Sequence, residues 1–232
     1  MASFTYGGDE LDIFSQAVNW KQYLRLVIAP YINGDVAEVG AGLGGTTRVF
    51  GKVAHRSWTC VEPDPHLADR LRHNIGDVPD ARVIVGTLEN LPGVSTFDTC
   101  LYIDVLEHIE DDTAELRRAT ARLRPNGKIV VLSPAHQWLY SPFDKQIGHF
   151  RRYNRAMLER LQVSGLALER VAYLDSTGLL LSSANRLLLR SSSPTLSQVV
   201  LWDRWFIAAS RLIDPIFRYR LGKSILGVWR KT

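Results

Sequence analysis

The sequence is poor in cysteine and in metal-binding patterns, and this excludes several classes of protein. Its 232 residues include two cysteines, Cys60 and Cys100, each inside a strand-like apolar run. Two isolated thiols make neither a disulfide framework nor a metal cluster, so we expect a reducing, cytoplasmic environment. The six histidines, at 55, 66, 73, 108, 136 and 149, lack the Cys/His spacing typical of zinc, and no metal is expected.

Long apolar runs and a leader pattern are missing too. No apolar stretch approaches the ~20 residues that span a bilayer, and no basic stretch leads into an apolar core near residue 1. We therefore expect neither a membrane span nor a secretory signal. An apolar fraction of 46% with 22% charged residues is ordinary for one globular domain, which we expect to cover residues 1–232.

Acidic residues are scarce in the last third. Residues 151–232 hold 12 Arg and 2 Lys against 2 Glu and 3 Asp, a balance of +9 that leaves −5 for residues 1–150 of the total of +4. One interpretation is a helical cap with solvated arginines. The other is a surface that meets anionic lipid or a lipid-linked substrate, peripherally at the inner face of a membrane. No DNA- or RNA-binding module is recognisable, so nucleic acid is not an expected partner.

A glycine turn and a later acid are the most informative features present. A strand-like run at 36–39 ends in Gly40 and Gly42, and a second run ends on Glu62 and Pro63, 22 residues after Gly40. Glycine has no Cβ and tolerates positive φ, so the turn lets backbone approach a ligand. An acid that ends the next strand can hydrogen-bond both hydroxyls of a ribose. The pair indicates a nucleotide-type cofactor.

The glycines fit two templates. Gly40, Gly42 and Gly45 satisfy G-x-G-x-x-G, the dinucleotide fingerprint. Gly40, Gly42 and Gly44, preceded by Glu38, satisfy [Asp/Glu]-x-G-x-G-x-G, which resembles motif I of the class I S-adenosylmethionine-dependent methyltransferases. Segments 86–92, 97–112 and 123–131 resemble the adenine-side loop, the fourth-strand motif and the fifth strand of the same family, of the small-molecule, ubiquinone-biosynthesis-like type.

This resemblance implies a set of cofactor contacts. It implies S-adenosylmethionine as cofactor and S-adenosylhomocysteine as product. The aromatic residues of the segment before the first strand suggest further contacts, Trp20 and Tyr23, although core packing also explains them. The expected cofactor-binding residues are Glu38, Gly40, Gly42, Gly44, Thr46, Glu62, Pro63, Thr87, Leu88, Glu89, Asp104, Val105, Trp20 and Tyr23.

The loop after the fifth strand is the expected substrate segment. Residues 133–153 contain two histidines, two tyrosines and a pair of arginines, which can shape a pocket and bind an anionic group. His149 is the first candidate for a general base, followed by His136 and His108, because neutral imidazole can accept a hydroxyl proton. A purely structural hydrogen bond of His149 is the alternative. The expected substrate-binding residues are Tyr140, Arg151, Arg152 and Tyr153.

Alternating strand and helix patterns predict an α/β fold. We expect a Rossmann-like, seven-stranded, mostly parallel sheet with helices on both faces, and the resemblance implies that the seventh strand is antiparallel. Residues 1–33 should form a helical cover, 34–135 the cofactor-binding core, and 136–232 the substrate-side loop, a helical insertion at 176–222 and the last strands. The predicted strands are 35–40, 57–62, 82–86, 97–103, 128–133, 167–174 and 224–230; the predicted helices include 11–31, 46–53, 65–74, 111–123 and 155–164.

Three classes of function remain open. The favoured hypothesis is methyl transfer to a small-molecule, sugar or lipid-linked acceptor at oxygen. The alternatives are a cofactor-binding interaction module in membrane-associated assembly and an NAD(P)-dependent oxidoreductase. No dehydrogenase signature predicts the series of segments at 86–92, 97–112 and 123–131, which disfavours the oxidoreductase. It names neither the acceptor nor the oligomeric state.

Overall fold

The computed structural model describes residues 10–93, 96–186 and 195–232, and within them seven strands form one sheet. Residues 187–194 of the predicted insertion lie outside this range. The strand order is β3-β2-β1-β4-β5-β7-β6, and only β7 runs antiparallel to its neighbours. The predicted antiparallel seventh strand is confirmed. The strands are β1 Asp35–Val39, β2 Ser57–Glu62, β3 Ala81–Val85, β4 Phe97–Ile103, β5 Leu123–Pro134, β6 Leu166–Leu174 and β7 Ser224–Lys231.

Helices cover both faces of the sheet. The central strands are nearly continuous apolar runs because neither face meets water, and two apolar cores result, one on each side. Trp58 is buried in the first core and Trp229 in the second. The α-helices are α1 Glu10–Ser15, α2 Val18–Ile28, α3 Thr47–Phe50, α4 Pro65–Asn74, α5 Asp112–Arg122, α6 Pro142–Gln146, α7 Arg155–Arg160, α8 Ser176–Ala184, α9 Leu196–Leu201 and α10 Ile207–Ile216.

Local chemistry explains where the helices begin and end. Asp64 caps α4 by accepting hydrogen bonds from backbone N–H groups of the first turn. Pro65 is the first helical residue, where a backbone N–H would have no partner within the helix. Asp111 caps α5 in the same way, as its sequence predicts. Helix α3 is shorter than the predicted 46–53. A Cβ on Gly51 would lie 2.5 Å from Val78, so the chain turns away here in close contact with the segment after α4.

The N-terminal helices pack against the insertion through buried carboxylates. Asp203 accepts from the backbone N–H groups of Asn19 and Trp20 at the start of α2, at 3.0 and 2.7 Å. These bonds satisfy amide groups that have no partner within the helix itself. Asp214 accepts from the Tyr23 hydroxyl at 2.6 Å. The predicted helical cover and insertion therefore form one layer over the sheet.

The two ends of the insertion meet at its base. The backbone N–H of Lys223, just before β7, donates to the carbonyl of Asp175, just after β6, at 3.0 Å. A Cβ on Gly222 would lie 2.1 Å from the carbonyl oxygen of Leu174, so only glycine allows the two segments to cross so closely. Helices α8 to α10 thus leave the sheet and return to it at one point.

Candidate active site

The carboxyl ends of the parallel strands share one edge of the sheet, and the residues of interest collect there. Strand β1 lies between β2 and β4, so the chain connections diverge on its two sides. Open α/β sheets bind ligands outside the carboxyl ends of their strands at such a point. The ends of β1, β2, β4, β5 and β6 lie at this edge, together with the start of the antiparallel β7.

The turn after β1 needs its glycines for different reasons. Gly40, Gly42 and Gly44 have φ of 66°, 55° and 78°, in the region that glycine adopts without strain. A Cβ on Gly40 would lie 2.6 Å from Val105, so the loops after β1 and β4 touch there. A Cβ on Gly42 would meet the Leu11 side chain at 3.9 Å, an ordinary van der Waals distance, so this glycine is less closely packed than Gly40. Gly44 instead packs against Leu71 of α4, so its predicted contact with the cofactor is replaced by a packing role.

Glu62 holds the glycine turn from the end of β2. Its carboxylate accepts one hydrogen bond from the backbone N–H of Gly42, at 2.8 Å, and one from that of Asp64, at 3.0 Å. Burial raises the pKa of Glu62, although these backbone hydrogen bonds oppose the shift. Each carboxylate oxygen keeps a further lone pair. The residue can therefore brace the turn and accept hydrogen bonds from a ligand at the same time.

Asp104 lies at the end of β4 in a strained conformation. Its φ is 54°, which is uncommon for a residue with a side chain, and such strain concentrates at functional sites. Protein surrounds the carboxylate and raises its pKa to about 6, while charges on His149 and Lys223 oppose the shift. The side chain is nevertheless solvent-accessible, and we call the space that it faces, between the turns after β1 and β4, the cleft. An ammonium group that enters this cleft would find a carboxylate to bind.

Glu38 supports the turn from below and does not reach the cleft. It is buried, and one of its oxygens accepts from the Thr47 hydroxyl at 2.7 Å and from the Trp58 indole at 2.8 Å. Glu38 is predicted among the cofactor-binding residues as a support of the turn, and its side chain bonds to Thr47 and Trp58. Burial raises the pKa of Glu38 to about 7, while these two hydrogen bonds oppose the shift.

This pKa makes the stability of the protein depend on pH. The folded value of about 7 lies above the ordinary 4.5, so the folded state binds the proton more tightly and stability is lost as pH rises between these values. The loss amounts to about 3 kcal/mol. A Glu38→Gln variant keeps the accepting oxygen and should lack this part of the pH dependence. Urea unfolding of both proteins at pH 5, 6, 7 and 8 measures it, and parallel curves would contradict the assignment.

The loop after β3 keeps its fold through its own hydrogen bonds. Thr87 accepts from the backbone of Glu89, Leu88 is buried, and the Glu89 carboxylate pairs with Arg118 at 2.6 Å. The side chains of this loop thus contact other parts of the protein, and its exposed backbone is the part that a ligand can contact. Thr46 precedes α3 without a side-chain cap bond, and Pro63 directly follows Glu62.

The aromatic residues of α2 do not face the cleft. Trp20 packs against Trp202 with ring centroids 5.8 Å apart, and the Tyr23 hydroxyl is held by Asp214. Their predicted cofactor contact is therefore wrong, because both side chains are used to join α2 to the insertion. Lys21 faces the glycine turn instead, and its Cε would lie 3.0 Å from a Cβ on Gly45. No motif in the sequence indicates this lysine.

His149 lies in a charged network built by the loop after β5. Its Nδ1 lies 2.9 Å from Oδ1 of Asp144. Arg152 also donates two hydrogen bonds to this carboxylate, at 2.7 and 2.8 Å. Burial alone would raise the pKa of Asp144, but the bonds from His149 and Arg152 outweigh it and hold that pKa well below its usual range. A charged Asp144 requires a proton on Nδ1, so neutral His149 presents a lone pair at Nε2.

Two further groups surround this Nε2. Oε1 of Glu107 lies 3.9 Å from it, and the ring of His108 meets that of His149 edge-on with centroids 4.5 Å apart. Glu107 is fully buried, its other oxygen accepts from Ser133 at 2.9 Å, and burial raises its pKa well above the ordinary value. The structure thus brings together two of the three predicted catalytic histidines.

The other predicted substrate residues are largely occupied. Nε2 of His136 lies 3.0 Å from the carbonyl of Gly222, and its ring stacks on Tyr173. Tyr140 donates to the carbonyl of His149 at 2.6 Å. Arg151 pairs with Asp112 at 2.7 Å, and the fully buried Tyr153 donates to the same carboxylate at 2.8 Å.

These contacts correct the substrate assignment. Tyr153 has no exposed surface, so its predicted contact with substrate is wrong. Arg151 is paired with Asp112, and Arg152 is paired with Asp144. The two arginines therefore stabilise the loop rather than offer a free site for an anion. Lys223 was missed by sequence reasoning. It lies over the Trp202 ring at 5.1 Å, and burial lowers its pKa while Asp175 opposes the shift.

Comparisons with known proteins agree with this geometry. A family model described as a methyltransferase domain matches residues 37–131, and no curated protein matches the chain. Coclaurine N-methyltransferase, solved with N-methylheliamine and S-adenosylhomocysteine, has a TM-score of 0.62 at 14% identity over 100% of this chain and 77% of that one. NodS, an N-methyltransferase from Bradyrhizobium japonicum WM9, has a TM-score of 0.56 at 13% identity over 97% of this chain and 99% of that one. Mitomycin 7-O-methyltransferase MmcR has a TM-score of 0.57 at 15% identity over 93% of this chain and 54% of that one.

The fold and the cleft define a methyltransferase with a nucleotide-containing cofactor. The matched domain spans the glycine turn, Glu62 and Asp104, which are the residues that form the cleft. Residues 37–131 match the methyltransferase family model, and the chain shares the fold of the class I S-adenosylmethionine-dependent methyltransferases. Its cofactor is S-adenosylmethionine, and S-adenosylhomocysteine is the product. The structural likeness at these identities shows the fold alone.

The residues present fit this cofactor. The Glu62 carboxylate beside the glycine turn keeps lone pairs that suit the two ribose hydroxyls. Asp104 is an exposed carboxylate in the cleft and suits the ammonium of the methionine part. The bound cofactor would supply an electrophilic methyl group on a positively charged sulfur.

Proposed function

We propose that the protein methylates an oxygen of a small-molecule, sugar or lipid-linked acceptor. The observation that carries this proposal is the pairing of His149 with Asp144 beside the Asp104 cleft. An alcohol oxygen is a weak nucleophile until it loses its proton, whereas an amine or thiolate needs little help. A histidine whose tautomer is fixed by a buried carboxylate suits that demand.

Each residue has a distinct part in this mechanism. Glu62 and Asp104 hold the two ends of the cofactor, and the backbone at Gly40 lets it lie close to the sheet. Nε2 of His149 takes the acceptor proton as the oxygen attacks, and the charged Asp144 stabilises the imidazolium that forms. The insertion and α2 form one layer over the sheet, and Lys21 of α2 lies next to the glycine turn. Positioning in this way can supply much of the rate enhancement.

The test is transfer of a labelled methyl group from S-adenosylmethionine to a panel of hydroxyl compounds, including sugars and polyprenyl-linked glycans. Matched amines and thiols serve as controls for the methylated atom. Label in an ether product supports the proposal. Label only in amine or thiol products would contradict the oxygen assignment and leave the methyltransferase itself intact.

The insertion favours a lipid-linked acceptor. Its exposed apolar side chains include Trp205, Leu212 and Ile216, the last two with about three quarters of their surface exposed. Arg204 lies over the Trp205 ring at 5.4 Å. Close by, Leu212 and Arg211 line a groove of about 450 Å³ between α2 and α10. Apolar surface among arginines is the composition that binds anionic membranes.

None of the described helices is long and apolar enough to cross a membrane. A lipid-linked acceptor would therefore be met at the membrane surface. The exposed side chains of α10 belong to the layer that the insertion and α2 form over the sheet, because Asp214 on this helix holds Tyr23 of α2. We propose that this layer lies on anionic lipid while the acceptor enters the cleft.

Co-sedimentation with vesicles tests this part of the proposal. We expect binding to vesicles that contain phosphatidylglycerol, weakened by salt, and little binding to phosphatidylcholine alone. A Leu212→Glu, Ile216→Glu double variant should lose most of the bound fraction. Val85→Glu, at an exposed position on the distant edge strand β3, is the matched control. Equal sedimentation of all three proteins, or no binding of the natural chain, would contradict the proposed binding to anionic lipid.

A further inference from the structure

Glu107, His108 and His149 form a compact cluster of metal-ligand types at the edge of the cleft. One ligand atom from each residue lies within 4.8 Å of those of the other two. The sequence predicts no metal, because its histidines are scattered along the chain. The fold brings these distant residues together, because the loop that follows β5 returns to the turn that follows β4. The backbone N–H of Phe150 donates to the carbonyl of Glu107 at 2.8 Å and fixes the two loops together.

Each member of the cluster is oriented by a neighbour. Asp144 holds Nδ1 of His149, Ser133 holds one oxygen of Glu107, and the backbone of Gly148 holds His108. Protein metal sites use such outer partners to aim their ligands, and a carboxylate on the far nitrogen of a histidine is the commonest of them. The arrangement leaves the remaining nitrogen of His149 pointing toward Glu107.

The buried carboxylate of Glu107 supplies an independent sign of a missing ligand. Its Oε1 is shielded from solvent and has no hydrogen-bond partner among the described residues. A buried oxygen without a partner is costly, and native proteins place few of them. This oxygen faces Nε2 of His149 across 3.9 Å, too long for a hydrogen bond. A cation between these atoms would satisfy both.

We propose that Glu107, His108 and His149 bind a divalent transition-metal ion, and that the ion coordinates the acceptor oxygen of the proposed reaction. This role rests on the proposed function, whereas the binding itself does not. Two imidazoles and one carboxylate suit ions such as Zn²⁺, Co²⁺, Fe²⁺ and Mn²⁺ and leave coordination positions open. Ligand atoms at ~2.1 Å from one ion stand about 3 to 3.5 Å apart, so shifts of roughly 1 Å or less close the site.

The ion would replace the base as the means of activating the acceptor. Coordination lowers the pKa of a hydroxyl, so its proton passes to water. The oxygen then forms a bond to the methyl carbon while the carbon–sulfur bond breaks, and the bonding electron pair stays on sulfur. The products are the methyl ether, S-adenosylhomocysteine and the released proton. In this state His149 acts as a ligand, and Asp144 serves to aim it.

Metal binding is tested without any acceptor. Protein treated with EDTA and dialysed is titrated with Co²⁺, followed by visible absorption and by calorimetry, and then with Zn²⁺, Mn²⁺ and Mg²⁺. We expect one Co²⁺ per chain. His108→Ala should weaken its binding by more than about 100-fold, since loss of an outer partner alone costs about 10- to 100-fold. Glu107→Gln should weaken it as well, and His73→Ala, an exposed histidine on α4, should not.

The same samples are titrated with S-adenosylmethionine, which reports whether each variant keeps a folded cofactor cleft. No binding of any of the four ions by the natural chain would overturn the inference, and so would unchanged Co²⁺ binding in both cluster variants. Loss of Co²⁺ binding with the S-adenosylmethionine affinity intact supports it. Metal binding without methyl transfer would defeat the proposed function and the catalytic role of the ion, and the binding site itself would stand. Methyl transfer without metal binding would defeat this inference alone.

Discussion

Replacing Glu62 with alanine is expected to weaken S-adenosylmethionine binding by at least about 100-fold. The carboxylate would accept from two ribose hydroxyls, and each hydrogen bond to a charged group is worth about 1.5 to 3 kcal/mol. The substitution also releases Gly42, whose N–H is held by Glu62 at 2.8 Å, so the turn loses its brace. Isothermal titration with S-adenosylmethionine, S-adenosylhomocysteine, NAD and NADP measures the effect.

The control for this substitution is Glu159→Ala. That glutamate is exposed on α7 and pairs loosely with Arg155, at 3.6 Å. It should leave the affinity unchanged. Binding of NAD or NADP by the natural chain would revive the oxidoreductase hypothesis. An unaltered affinity of Glu62→Ala for S-adenosylmethionine would mean that the cofactor lies elsewhere.

The second large effect is expected at His149. With an acceptor identified by the labelled-methyl screen, His149→Ala should lower kcat by about 100- to 10,000-fold, the usual range for a general base. Affinity for S-adenosylmethionine should change little, because His149 is not placed among its ligands. His73→Ala is the matched control. Turnover that survives the loss of His149 would leave the residue with a structural role only.

EDTA separates the two ways in which His149 can act. A general base works in metal-free protein, so activity would persist after chelation. If His149 is instead a metal ligand, activity would fall with EDTA and return with added Co²⁺ or Mn²⁺. Asp144→Asn should lower kcat in either case, because the amide cannot stabilise an imidazolium and orients a ligand poorly. Steady-state rates of the natural chain and Asp144→Asn, with and without EDTA, complete the comparison.

The sheet and the cofactor edge could be predicted from sequence because their signals are local. Apolar runs followed by turn residues predict strands, and a glycine turn with Glu62 beyond the next strand indicates where a ligand binds. The structure places Glu62 and Asp104 at one edge because parallel strands all end there. Six strands begin and end within one residue of the predicted positions, whereas β5 begins at Leu123, five residues before its predicted start. Helix α3 is shortened where Gly51 meets Val78.

The roles of the charged residues could not be predicted, since they depend on contacts between distant segments. Arg151 lies two residues after His149 in sequence but pairs with Asp112, 39 residues earlier in the chain. The loop carries a serine and, three residues on, Asp144, which predicts a helix start and not the partner of His149. Lys21 and Lys223 enter the surroundings of Asp104 from opposite ends of the chain. A pattern in sequence cannot show which charges will neutralise one another.

The closed base of the insertion has a consequence for how this fold can diversify. The backbone N–H of Lys223 donates to Asp175 and Gly222 crosses Leu174, so β6 and β7 meet at the base of the insertion. Asp214 of α10 also accepts from the backbone N–H of Asp175 and holds the same point. Changes of length or sequence that keep these contacts need not disturb the sheet, since the loop is closed at its base. Away from them, the insertion is in effect an exchangeable module. A change of acceptor can evolve there while the residues that hold the methyl donor stay the same.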